Sequence, residues 1–169
     1  MQPYRFMEVS MACTSVQAME DFWVRMFDGK VLFRGLMAGQ PFSRMIACGV
    51  TLVFREDPAM AVPPGPGQEV QYRNHLGIRV DDLEAAIADL ESRGARFTLT
   101  PALVREWQKK HDPGTGAYLQ TTYIAPPLSR ERIASGEYRH EVALFPGPDN
   151  LWIELNEVRE PTDAQWFPA

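Results

Sequence analysis

The chain has 169 residues, 45% of them hydrophobic, 23% charged and 11% aromatic, enough apolar material for a real core without disulfide or metal staples. Its 17 basic and 22 acidic residues leave a net charge of -5, the wrong sign for a protein that tracks nucleic-acid phosphates. No apolar run approaches the roughly 20 residues needed to span a bilayer, and the opening MQPYRFMEVS lacks the basic and apolar stretches of a secretory signal. These features predict a cytoplasmic protein with neither nucleic acid nor membrane as partner. Cys13 and Cys48 then read as small core residues in a reducing compartment.

Residues 8–13 alternate apolar with polar or small side chains, the pattern of a half-buried strand. Thr14-x-x-Gln17 reads as a capping box, opening a helix with an apolar stripe of Val16, Met19, Trp23 and Met26 or Phe27. Gly29 ends it, and strands are expected at 30–33, 44–47 and 50–55. The stretch PAMAVPPGPG (58–67) has no periodicity and reads as a connector.

The order then repeats without a gap. Glu8 aligns with His75, Val9 with Leu76, Met11 with Ile78, Cys13 with Val80 and Val16 with Leu83. Asp81-x-x-Glu84 matches the first capping box, Leu83, Ala86, Ile87 and Leu90 form a helical stripe, and Gly94 is the expected left-handed stop. A strand is expected at 95–99, and strands at 140–145 and 151–156 flank a PGPDN turn. The predicted organisation is a first βαβββ module (1–57), a Pro/Gly-rich linker (58–72), a second module (73–160) and a tail (161–169). Residues 103–138 are longer than a simple connection needs and read as an insertion. The insertion carries Arg105, Lys109, Lys110, Arg130 and Arg132, with a further strand suggested at 118–124. A lid over an anionic substrate, a solvated excursion and a dimer contact all fit it.

HLGIRVDDLEAAIADLESRGARF (75–97), followed by FPGPDNLWIEL (145–155), resembles the second module of the vicinal oxygen chelate superfamily. That superfamily includes glyoxalase I, extradiol ring-cleaving dioxygenases, methylmalonyl-CoA epimerase, fosfomycin-resistance enzymes and bleomycin-binding proteins. The ending resembles its D-P-D-G-N-x-I-E-L signature, with Asn150 in place of the glycine. The resemblance implies an α+β fold in which two βαβββ modules form an incomplete barrel with a metal cleft. It implies metal ligands at Glu8, His75 and Glu154, with Val53 at a fourth position that cannot bind metal. Glu56, three residues beyond Val53, is expected on the opposite strand face.

The residue chemistry agrees in part with that set. Glu154 lies among Trp152, Ile153 and Leu155, where an ionised carboxylate is costly unless paired or coordinated. One imidazole and two carboxylates suit Fe2+, Mn2+, Zn2+ or Ni2+. Glu8, where two-histidine triads carry imidazole, hardens the site, and the missing fourth ligand weighs against glyoxalase I activity. His140 alternates with Val142 and Leu144 beside the expected Glu154 strand, which makes it the candidate catalytic acid or base. His111 is expected on a solvated loop. The sequence assigns no substrate-binding residue.

The expected function is a divalent-metal-dependent enzyme, a homodimer, acting on a small substrate chelated through vicinal oxygens. Ring-cleaving dioxygenase chemistry is slightly favoured. A glyoxalase-like lyase or isomerase/epimerase and a metal-free drug-binding protein are the alternatives.

Overall fold

The computed structural model describes residues 7–60, 75–111, 135–137 and 139–159. The linker beyond residue 60, the strand expected at 118–124 and the tail therefore lie outside the described residues. The chain packs as two units. Unit 1 is Met1–Asn74 with Arg93–Ala95 and Pro146–Trp152; unit 2 is His75–Ser92, Arg96–Phe145 and Ile153–Ala169.

In unit 1 the helical stripe decides the packing. Helix α1 (Val16–Phe27) buries Val16, Met19, Phe22, Trp23 and Met26, each contributing roughly 2 kcal/mol by leaving water. It packs on a four-stranded sheet of order β1-β4-β3-β2, built from β1 (Val9–Cys13), β2 (Lys30–Met37), β3 (Gln40–Ala47) and β4 (Val50–Glu56). Strand β1 is parallel to β4, while β3 is antiparallel to both β2 and β4. Directly paired residues share a face. Cys13 with Glu56, Met11 with Phe54 and Met45 with Leu52 thus line the α1 side. Ser10 with Val53, Val53 with Arg44, and Arg44 with Phe33 line the other.

One charge is buried under α1. Glu20 is 1% exposed and accepts three hydrogen bonds from Arg34 on β2, at 2.8–3.0 Å.

Neither expected capping box forms, and each helix is capped one residue later by a single side chain. Ser15, not Thr14, caps α1 by accepting from Ala18 N at 3.2 Å. Asp82, not Asp81, caps α2 (Leu83–Ser92) by accepting from Ala85 N at 2.9 Å. Thr14 is engaged elsewhere: its N–H and hydroxyl donate to Asp149 at 2.8 and 2.6 Å. Asp149 sits in the turn after residue 146, in the left-handed region at φ 53. Gly147 begins that turn, and a Cβ there would stand 3.0 Å from Phe22 Cζ and 3.2 Å from the Leu151 carbonyl oxygen, so the absent side chain lets the turn rest closely on α1. The α1 stop also differs, because the left-handed residue is Asp28 (φ 51), one before Gly29.

Unit 2 carries a three-stranded sheet of order β5-β7-β6, with β5 (His75–Arg79), β6 (Arg139–Pro146) and β7 (Trp152–Arg159). Helix α2 buries Leu83 and Leu90, with Ala86 and Ile87 half-buried. The strand expected at 95–99 does not form. Leu99 makes an isolated antiparallel bridge to Leu144, and Phe97 packs on Phe145 at 4.9 Å. A helix the sequence reading missed, α3 (Pro101–His111), follows. Its start is signalled by Thr100-Pro101, since Thr100 Oγ1 accepts from Leu103 N at 3.4 Å and proline suits the first helical position. His111 is the last residue of α3 and not a loop residue. Cys13 is buried, but Cys48 is exposed in the β3–β4 turn and is no core residue; both are free thiols.

Among the described residues the fold is α+β, with two small sheets and no closed barrel.

Candidate functional site

Strand alternation brings four polar side chains to one face of the unit 2 sheet. His75 opens β5, and its Nε2 lies 3.8 Å from Glu154 Oε2 on the central strand β7. Two residues along β7, Asn156 Oδ1 lies 2.7 Å from His140 Nε2 on β6. Asn156 Nδ2 donates to the Glu154 carbonyl at 3.3 Å. The Glu154 side chain is only 16% exposed and follows the buried Trp152 and Ile153, so its carboxylate needs a polar partner. Asn156 was missed in the sequence, although its position two residues after Glu154 put it on the same face.

Glu8, the remaining ligand candidate, belongs to unit 1 and immediately precedes β1. Its carboxylate accepts from Arg44 Nη2 in an ion pair. Arg44 pairs across the sheet with Val53, and Val53 with Ser10. Val53 is buried, at 4% exposure, and supplies no donor atom. Unit 1 thus answers the charge of Glu8 with a guanidinium. The one sequence sign of this was a cation inside the apolar alternation of β3.

The His75–Glu154 geometry fits a metal half-site. Ligand atoms about 2.1 Å from one ion stand roughly 3 to 4 Å apart, and 3.8 Å falls within that window. The same separation is too long for a hydrogen bond. Glu8 fits less well, because its carboxylate already has a cation. Among the described residues no three His, Cys, Asp or Glu side chains converge.

Two further ionisable groups are accounted for by the fold. Burial pushes the Cys13 thiol up to about 11, with the Asp149 and Glu56 carboxylates adding to the rise; such a thiol is a poor nucleophile. Glu141, next to His140 in β6, accepts from Arg139 at 2.7 Å and Arg105 at 2.6 Å. Burial alone would raise its pKa, but the two guanidiniums outweigh burial and hold it below the ordinary carboxylate value.

The α+β fold with two small sheets is similar to that of solved glyoxalase/bleomycin resistance/dioxygenase proteins. Residues 8–117 match the family model of the glyoxalase-like domain, about two thirds of the chain, and the protein belongs to that family. A glyoxylase/bleomycin resistance protein/dioxygenase domain from Frankia sp. EAN1pec is similar at 18% identity and TM-score 0.57, over 94% of this chain and 100% of that one. A glyoxalase family protein from Enterococcus faecalis is similar at 17% identity and TM-score 0.59, over 90% and 97%. The fosfomycin resistance protein FosX from Listeria monocytogenes, solved with Mn(II) and sulfate, is similar at 10% identity and TM-score 0.53, over 92% and 93%. At these identities the likeness is one of fold. No curated protein sequence matches the chain. Among the described residues no helix is long and apolar enough to cross a membrane.

Proposed function

We propose that the protein is a divalent-metal-dependent enzyme acting on a small substrate chelated through neighbouring oxygens. The observation that carries this reading is the 3.8 Å approach of His75 Nε2 to Glu154 Oε2. FosX, a similar fold, was solved with Mn(II), which makes Mn2+ the first ion to try, before Fe2+, Zn2+ and Ni2+. The ion would supply a positive charge that polarises the substrate oxygens. His75 and Glu154 would hold it, and His140 would take or give a proton on the same strand face. Glu8 is a third ligand in this reading only if it leaves Arg44. Ring cleavage was favoured on three ligands. A proton-transferring lyase or isomerase needs only the metal and His140, so the observed pairs support it at least as well. A homodimer and a cytoplasmic location belong to the same reading.

The Glu8–Arg44 ion pair favours a second reading, a metal-free binding protein for a small molecule.

Metal titration of the purified protein separates the two. The enzyme reading expects one equivalent of a divalent ion, with His75→Ala and Glu154→Ala each weakening binding by at least about tenfold. If the protein takes up no divalent ion, or if both variants bind as the parent does, the enzyme reading falls.

A further inference from the structure

Three strands of unit 2 meet at the Asn156 side chain. Its Oδ1 lies 2.7 Å from His140 Nε2 on β6, and its Nδ2 donates to the backbone carbonyl of Glu154 within β7. On β5, Gly77 leaves room for the amide, since a Cβ there would stand 3.3 Å from Nδ2. An asparagine amide has two orientations, and the hydrogen-bond network chooses between them. With Nδ2 toward the Glu154 carbonyl, both ends of the amide are satisfied. Reversed, two oxygens would face each other at about the same 3.3 Å separation.

The carbonyl cannot turn, because it is part of the β7 backbone. An amide oxygen only accepts, so the His140 nitrogen facing it must carry a hydrogen. We propose that Asn156 is a positioning residue that fixes neutral His140 as the Nε2–H tautomer, which makes Nδ1 the nitrogen that exchanges protons with a substrate. The catalytic consequence rests on the function proposed above and names which edge of His140 performs it. The tautomer itself stands without that function. Seating the ring and its amide on adjacent strands keeps Nδ1 in one direction, as proton transfer over hydrogen-bond distance requires.

The test is nitrogen-15 NMR of the His140 ring in metal-free protein, at a pH where the ring is neutral. Expected is a directly bonded proton on Nε2, slowed in exchange with water, in the parent and in Asn156→Asp, which keeps an accepting oxygen. Asn156→Leu removes that acceptor, and the protected Nε2 proton should disappear. Gly77→Ala provides a milder variant should Asn156→Leu fail to fold. It presses on Nδ2 and should speed exchange of the same proton. A parent spectrum with the proton on Nδ1 overturns the proposal. So does a protected Nε2 proton that persists in Asn156→Leu, or that is unmoved in Gly77→Ala when Asn156→Leu does not fold. Because the measurement needs no metal, a protein that never binds one would end the enzyme reading and leave this result intact.

Discussion

At matched positions of the repeat, the two units give one pair of residues the same task and two other pairs different ones. Glu56 and Glu157 stand at equivalent points on β4 and β7. Glu56 accepts from Val16 N at 3.0 Å and Glu157 from Leu83 N at 2.9 Å, so each closes the first N–H of its own unit's helix. Three residues earlier the match ends, with Val53 in one unit and Glu154 in the other. Glu8 and His75 likewise differ, one held by Arg44 and the other beside Glu154. An orphan N–H at a helix start needs an acceptor in either unit, so that carboxylate serves the fold. The opposite face is not required to be alike, and its divergence marks where a site can be built.

The largest expected effect breaks the likeness of the helices. Helix α1 buries Glu20 against Arg34, whereas α2 buries only Leu83 and Leu90. Arg34→Met strands the buried Glu20 carboxylate and should lower the urea midpoint more than the loss of either helix cap does. An unchanged midpoint would show that Glu20 is satisfied without Arg34.

A smaller pair of effects sharpens the likeness. Glu56→Ala and Glu157→Ala should each cost about 1 kcal/mol, and nearly the same amount. If one variant melts as the parent does while the other does not, the two caps are not equivalent.

The smallest effect concerns unit 2 alone. Glu141→Gln should cost about 0.5 kcal/mol near neutral pH, since Arg139 and Arg105 lower the pKa of Glu141 in the folded chain. A depressed carboxylate stabilises above its unfolded value of about 4.3, and that contribution vanishes as pH falls through the folded value. Parent and variant should therefore converge in acid. Urea midpoints compared near pH 7 and pH 3 would refute this if the gap widened toward the acid side.

Periodicity carried much of the fold. The α1 stripe of Val16, Met19, Trp23 and Met26, the α2 stripe ending at Leu90, and the turn at 146–150 are local patterns, and the structure has them. Where a distant partner competes, the sequence misleads. Thr14 looks like a cap until Asp149, 135 residues away, claims it. Residues 95–99 have strand-like composition, but their pairing with Leu144, through Thr98 and Leu99, is an isolated bridge and not a strand. The candidate site divides in the same way. Spacing alone put His140 and Glu154 on neighbouring strands. Arg44 against Glu8 depends on how β1, β4 and β3 are ordered in space, and no local pattern records that order.

The turn that bonds Thr14 and rests on Phe22 also sets an order of events. Residues 146–152 complete unit 1, yet nearly all of the chain must leave the ribosome before they are available. The first unit to be synthesised is therefore the one that waits, its β1–α1 corner open until the last strand of the second unit is about to form. Contacts of such sequence separation slow folding through loop closure. A nascent chain halted before residue 146 should accordingly expose Phe22 and Thr14, and with them a surface for chaperones or a wrong partner.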